Sequence, residues 1–101
     1  MRAIGYQTPQ PIDAATALVD FYLPRPEPTG RDILVAVEAV SVNPVDTKIR
    51  ASAKPADREW KVLGWDAAGV VTAVGPGVTD HQIGDRVAGI SLTGAWKTFV
   101  T

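Results

Sequence analysis

Between Ser41 and Arg50 the chain reads Ser-Val-Asn-Pro-Val-Asp-Thr-Lys-Ile-Arg, which brings an amide, a carboxylate and an amine close together. The amide of Asn43 can donate a hydrogen bond to a substrate oxygen, and the carboxylate of Asp46 can orient that amide or a water. Lys48 is a candidate substrate contact because it lies so near Asp46 in sequence. The same residues also spell the start of a helix. Asn43 suits the N-cap, where a side-chain oxygen can accept from a free backbone N–H. Pro44 suits the first helical position, where no N–H is needed. Asp46 falls where a carboxylate reaches back to the N-cap N–H and meets the positive end of the helix dipole. General pattern rules favour capping for Asn43 and Asp46, so both readings stand at this point.

Composition removes several function classes. The chain has 101 residues, enough for one domain and one core. A net charge of −1 gives no pull toward nucleic acid or an acidic membrane. There is no cysteine and a single histidine, His81, so a Cys/His zinc site fails by inventory. No apolar run reaches the roughly 20 residues of a membrane span, and none has a signal-peptide layout. Cytoplasmic location is the default expectation. His81 sits in Thr79-Asp80-His81-Gln82, a surface loop by composition.

The elements that must position the Asn43 stretch are mostly strands. Arg2–Tyr6 is extended, and Pro9 and Pro11 make a helix unfavourable after it. Ala14–Leu23 is ambiguous at its start, but Val19–Leu23 favours a strand. Pro24, Pro26, Pro28 and Gly30 form a stiff connector. Ile33–Val42 is the best strand, with apolar residues on both faces, which predicts cover on both sides. Ala51–Asp57 reads as a surface loop. In Val62–Gly69, two glycines and two alanines beside Trp65 imply that backbone packs closely on another strand or a ligand. Strands are expected at Val70–Val74, Arg86–Ile90 and Trp96–Val100, separated by turns at Gly75-Pro76-Gly77 and Gly84-Asp85. Short strands at this spacing predict an antiparallel barrel or sandwich. The glycines lack the G-x-G-x-x-G spacing of a dinucleotide loop.

Four blocks together resemble the N-terminal part of medium-chain dehydrogenases/reductases. They are Arg31–Val35 through Val42–Arg50; Leu63-Gly64-Trp65-Asp66-Ala67-Ala68-Gly69-Val70-Val71; Gly75–Val78 with Gly84-Asp85-Arg86-Val87; and Gly94-Ala95-Trp96. Within that superfamily the chain is most similar to the zinc-free quinone-oxidoreductase-like branch, some of whose members are called zinc-type alcohol dehydrogenase-like proteins. The resemblance implies a mainly β fold, a GroES-like partly open β-barrel with short helical turns, spanning residues 1–101 as the catalytic (substrate) domain. In the family a Rossmann domain that binds NADPH follows; this sequence contains no such domain and is expected to be inactive alone.

The resemblance also implies site residues. In zinc-dependent relatives a cysteine ligand stands at the position of Asn43 and a histidine ligand at that of Trp65; acidic residues match Asp46 and Asp66. With Asn43 and Trp65 there, zinc is not expected. Without a metal to stabilise charge on oxygen, quinones and enones are the favoured substrates, because they delocalise that charge themselves. The implied roles are Asn43 and Asp46 at the catalytic centre, Asn43 and Pro44 against the nicotinamide end of NADPH, and Trp65 as an apolar wall beside the substrate. The implied partner is a small carbonyl, enone or quinone. An isolated barrel is expected to expose apolar surface and to self-associate as a homo-oligomer or swap its terminal strand near Trp96–Val100. The competing reading is a stand-alone GroES-like binding or assembly module without enzymatic activity.

Overall fold

A computed structural model describes all residues, Met1–Thr101. Seven strands and one helix follow in order: β1 (Arg2–Tyr6), β2 (Val19–Tyr22), β3 (Ile33–Val40), α1 (Pro44–Ser52), β4 (Lys61–Val62), β5 (Asp66–Val74), β6 (Arg86–Ile90) and β7 (Phe99–Val100). They form two antiparallel sheets, β2-β1-β4 and β6-β5-β3-β7, which do not close into a complete barrel. The mainly β, partly open architecture expected from the sequence is therefore present.

The segment before β7 joins the two sheets. Ile4 N–H donates to the Trp96 carbonyl and Thr98 N–H to the Arg2 carbonyl, each at 3.0 Å. Val37 N–H donates to the Thr98 carbonyl at 2.9 Å, and Phe99 and Val100 then pair with β3. The expected strand Trp96–Val100 is thus shorter than predicted. Its first residues are spent crossing from one sheet to the other, with a single bridge between Ala3 and Lys97.

Strand β3 stops at Val40 rather than Val42, and it is not covered on both sides throughout. Leu34 and Val35 are buried, but Glu38, Ala39 and Val40 are exposed. The reason is pairing: β7 reaches only Val35 and Ala36, and register shifts interrupt the β3–β5 ladder between Leu34 and Val35 and between Val37 and Ala39. Bulges of this kind bend a strand and raise its twist. Strand β5 begins at Asp66, four residues before the predicted start at Val70, because the glycine-alanine stretch is itself strand. A side chain at Gly69 would occupy the space of the Ala36 carbonyl, so close strand packing explains that glycine and no ligand is needed.

The core is small. Tyr6 and Val71 are fully buried, with Ala3, Leu34, Leu63, Ala95 and Val100 around them. Burying a valine such as Val71 contributes about 1.5–3 kcal/mol. Phe21 of β2 stacks on Trp60 at 4.0 Å between ring centroids, packing the loop before β4 against the smaller sheet. Tyr6 ties the helix to that sheet: its hydroxyl lies 3.0 Å from the Ile49 carbonyl and 2.6 Å from that of Ala53, at the last turn of α1. Burial pushes the Tyr6 phenol pKa up, opposed by the nearby Arg50 charge.

Candidate active site

The polar residues singled out from the sequence converge where β3 ends and α1 begins. Asn43 is the N-cap of α1, with extended backbone (φ −118°, ψ 158°), and Pro44 opens the helix. Asp46 at the third position accepts from the Asn43 N–H at 2.8 Å through Oδ2. Its other oxygen, Oδ1, accepts from the Gly64 N–H at 3.2 Å. Asp46 is only 1% exposed, so its carboxylate is walled in by backbone. It fastens the start of the helix to the turn before β5. That turn is tight: Gly64 has φ +95°, and a Cβ there would stand 2.5 Å from the Trp96 ring.

The Asn43 side chain faces elsewhere. Its Nδ2 donates to Asp66 Oδ2 at 3.0 Å and to Ser41 Oγ at 2.9 Å. Ser41 Oγ in turn donates to the same Asp66 Oδ2 at 2.7 Å. The amide orientation follows from chemistry, since an ionised carboxylate only accepts and the atom facing it must carry hydrogens. Ser41 Oγ and Asp66 Oδ2 lie only 2.7 Å apart, too close for two N–H bonds about 120° apart to reach one each, so one Asn43 amide hydrogen serves the pair and the other is left without a partner in the chain. Its Oδ1 stands in capping-box position toward the Asp46 N–H, but that N–H makes its well-formed bond to the Asn43 carbonyl at 2.9 Å. Asp66 Oδ1 makes no hydrogen bond inside the protein and is the acceptor left for a ligand. Trp96 steadies the cluster, its Nε1 donating to the Ser41 carbonyl at 3.2 Å.

Ser41 and Asp66 line an open groove of about 420 Å³ with Ala39, Val40, Ala67, Ala88 and Ile90. The groove joins a polar cluster to an apolar floor, the usual build of a small-molecule site. Trp65, 36% exposed, lies on another side, lining a pocket of about 70 Å³ with Asp46, Leu63 and Gly94. Its carbonyl accepts from the Ser91 N–H at 2.7 Å. Lys48 and Pro44 are exposed on α1. Residues two apart on a helix do not face each other, and Asp46 points inward to Gly64, so Lys48 and Asp46 do not meet.

Ser41 was not anticipated as a site residue. Alternation along extended backbone places 41 and 43 on the same face, and that periodicity was the available signal. Asp66 is brought beside Ser41 by register, one residue before the Ala67–Val40 pair, which no local pattern shows.

The residues at this centre do not fit a zinc ion. The positions facing one another offer one carboxylate, an amide and a hydroxyl, and both donors are already bonded to that carboxylate. Zinc sites take three or four ligands drawn from thiolate, imidazole and carboxylate, and no group of three such side chains occurs here. Nor does the chain form a dinucleotide cradle: Gly64 and Gly69 are used in packing against Trp96 and Ala36.

Comparison with known proteins places these features in context. The alcohol dehydrogenase GroES-like domain profile matches residues 29–98. A crystal structure of a zinc-dependent alcohol dehydrogenase protein, so named provisionally, from Rhizobium etli superposes with a TM-score of 0.91 at 52% identity, covering 98% of this chain and 29% of that one. Escherichia coli quinone oxidoreductase, crystallised with NADPH, gives a TM-score of 0.83 at 28% identity over 98% of this chain and 30% of that one. A zinc-type alcohol dehydrogenase-like protein of Staphylococcus epidermidis is 41% identical over 86% of this chain and 25% of its own length. The chain spans only 4% of a Mycobacterium tuberculosis phthioceranic/hydroxyphthioceranic acid synthase to which it is 53% identical over 78 residues.

Proposed function

The chain belongs to the alcohol dehydrogenase GroES-like domain family, and we propose that it serves as the substrate-side domain of an NADPH-dependent reductase of quinones or enones that works without zinc. Its relatives include quinone oxidoreductases and zinc-type alcohol dehydrogenase-like proteins, so the oxidoreductase class is common ground. The observation that carries the finer reading is the Ser41–Asn43–Asp66 cluster, an amide, a hydroxyl and a carboxylate, beside an open apolar groove.

NADPH, held by a nucleotide-binding domain outside this chain, would supply the hydride. The residues here bind and orient. The apolar groove takes the ring or alkene of the substrate and excludes water from it. Asn43 and Ser41 hold Asp66 so that its free Oδ1 accepts from a hydroxyl, water or carboxamide N–H at the reacting edge. Asn43 and Pro44 present the start of α1 to the nicotinamide end. A quinone takes up hydride and a proton to become the hydroquinone; an enone takes hydride at the β-carbon and a proton at the α-carbon. Both spread the transient negative charge over the conjugated system, so a donor weaker than a metal ion suffices, and the remaining Asn43 amide N–H is the donor at hand. Asp46 acts by fixing the helix start, and Trp65 and Lys48 flank it. Exposed Ile90 and Leu92 favour a homo-oligomer or packing on a further domain. No helix is long and apolar enough to cross a membrane; the cytoplasmic location is part of the proposal.

The test uses the protein that carries this segment together with a nucleotide-binding domain. NADPH oxidation with a 1,4-quinone is expected to proceed unchanged in the presence of a strong chelator, and the 101-residue chain alone is expected to show none. Stoichiometric bound zinc, with activity lost on its removal, would overturn the reading.

A further inference from the structure

On the face of the larger sheet that carries Asp66, the side chains are small. Ala39 of β3 pairs with Ala68 of β5, and Ala68 pairs with Ala88 of β6. Residues directly opposite in antiparallel strands project to the same face. Three methyl groups therefore form a row across three strands, and all three line the open groove of about 420 Å³. Neighbouring strands lie about 4.8 Å apart, so the row spans about 10 Å, close to the length of a two-ring aromatic. A longer side chain at any of the three would raise a ridge; three alanines leave a flat floor.

Asp66 pairs with Ile90 and stands two residues from Ala68, so alternation puts it on this same face, at one end of the floor. Ser41, which also lines the groove, donates to Asp66 Oδ2 at 2.7 Å, and Oδ1 has no partner in the chain. The charge is uncompensated. No lysine or arginine lines the groove, and Asp66 is in none of the ion pairs Arg2–Asp20, His81–Asp80 and Arg86–Glu38. Arg86, two residues from Ala88, shares this face, but Glu38 holds it at 2.9 Å across β5. Glu38 sits at the register shift between Val37 and Ala39, where a bulge re-aims a side chain. The arginine on this face is thus already neutralised, and Asp66 is not.

We infer that this groove binds a planar aromatic body carrying a protonated amine, its rings on the Ala39–Ala68–Ala88 floor and its ammonium on Asp66. The inference rests on the proposed reductase reading only for its role, where it names the quinones or enones preferred as those with a cationic side arm. One unmatched carboxylate matches one positive charge. A neutral hydroxyl gains the hydrogen bond to Oδ1 without the charge pairing, and an anion is repelled. The flat floor favours a stacked ring over a branched aliphatic chain, for which it offers no holes.

The experiment is calorimetric titration of the chain at low salt with naphthylethylammonium, naphthylethanol and naphthylacetate. The ammonium is expected to bind at least about fivefold more tightly than the alcohol, with the gap narrowing as salt is raised, and the acetate to bind most weakly. Asp66→Asn is expected to bring the ammonium down to the affinity of the alcohol while leaving alcohol binding in place. Ala68→Leu is expected to weaken all three. Equal affinity of the wild type for ammonium and alcohol would overturn the inference without reliance on any variant. So would the absence of binding, a preference that survives in Asp66→Asn, or unchanged affinities in Ala68→Leu. Sedimentation run alongside identifies a floor covered by a second copy: apparent mass rising with concentration and unaffected by the ammonium would also overturn it. Because the readout is binding, two failures stay distinct. Zinc-free quinone turnover without the ammonium preference sinks this inference alone, and the preference together with zinc-dependent turnover sinks the reductase reading alone.

Discussion

Two aspartates, Asp46 and Asp66, stand on either side of Asn43 and do opposite work. Asp46 is 1% exposed and spends both oxygens on backbone N–H groups, those of Asn43 and Gly64. Asp66 is half-exposed and spends one oxygen on two side chains, Ser41 and Asn43, leaving the other free. A carboxylate that satisfies buried backbone cannot be removed without stranding those donors. A carboxylate held by half-exposed side chains can be removed, and water replaces it. The first therefore carries stability and the second is the one we propose for the site, although both are acids close to the same asparagine.

The largest expected effect is on the buried member. Asp46→Ala leaves two backbone N–H groups without their charged acceptor and is expected to cost roughly 3 kcal/mol, since hydrogen bonds to charged groups are worth about 1.5–3 kcal/mol each. A lower urea midpoint at unchanged slope checks it. A midpoint within error of wild type would dissolve the contrast between the two acids.

Tyr6→Phe sharpens the comparison from the far end of the same helix. It removes the hydroxyl that binds the Ile49 and Ala53 carbonyls and should cost about 1 kcal/mol. The pH dependence has a definite sign. Tyr6 has its folded pKa raised above the ordinary 10.0, chiefly by burial. Its neutral form is thus favoured by folding; the associated stability is present below about pH 10 and is lost as pH rises through the raised value. Wild type should show this alkaline loss and Tyr6→Phe should lack that component, read from urea midpoints on either side of pH 10. Parallel profiles for the two proteins would count against the assignment.

Asp66→Ala is expected to cost under about 1 kcal/mol, because the freed Ser41 and Asn43 donors reach solvent. Equal destabilisation by the two aspartate variants would contradict the division of labour. The smallest effect belongs to Lys48→Ala, an exposed helix position whose ammonium bonds nothing in the chain, where a change within about 0.5 kcal/mol is expected. A loss well beyond that in thermal unfolding would mean that Lys48 takes part in the helix-start network after all.

Much of this was legible from residue types. Asn43, Pro44 and Asp46 announce the helix start, and the helix begins there because local chemistry decides it: an N-cap, a residue that needs no N–H, and a carboxylate for the N-cap amide. The strands Arg2–Tyr6 and Arg86–Ile90 follow from pattern alone. What the pattern misjudged depends on distant partners. Val42 looks like strand, yet β3 ends at Val40, and its last residues lack cover because β7 reaches only Val35 and Ala36. Trp96–Thr98 looks like strand but bridges two sheets. The site shows the same divide. Asn43 could be picked out from sequence as a polar group at the end of a strand. That one of its amide hydrogens is spent on the Ser41–Asp66 pair is set by the pairing of β5 with β3, across an interval no local rule spans.

The most direct test of the account measures turnover and stability on the same variants. The protein carrying this segment with its nucleotide-binding domain would be assayed for NADPH oxidation with a 1,4-quinone as wild type, Asp66→Ala and Asp46→Ala, each corrected for folded fraction by urea unfolding. The account predicts that Asp66→Ala loses about tenfold or more in kcat/KM, roughly 1.4 kcal/mol of transition-state stabilisation, with stability nearly kept. It predicts that Asp46→Ala loses stability first. Wild-type kcat/KM in Asp66→Ala, at full folded fraction, would contradict it.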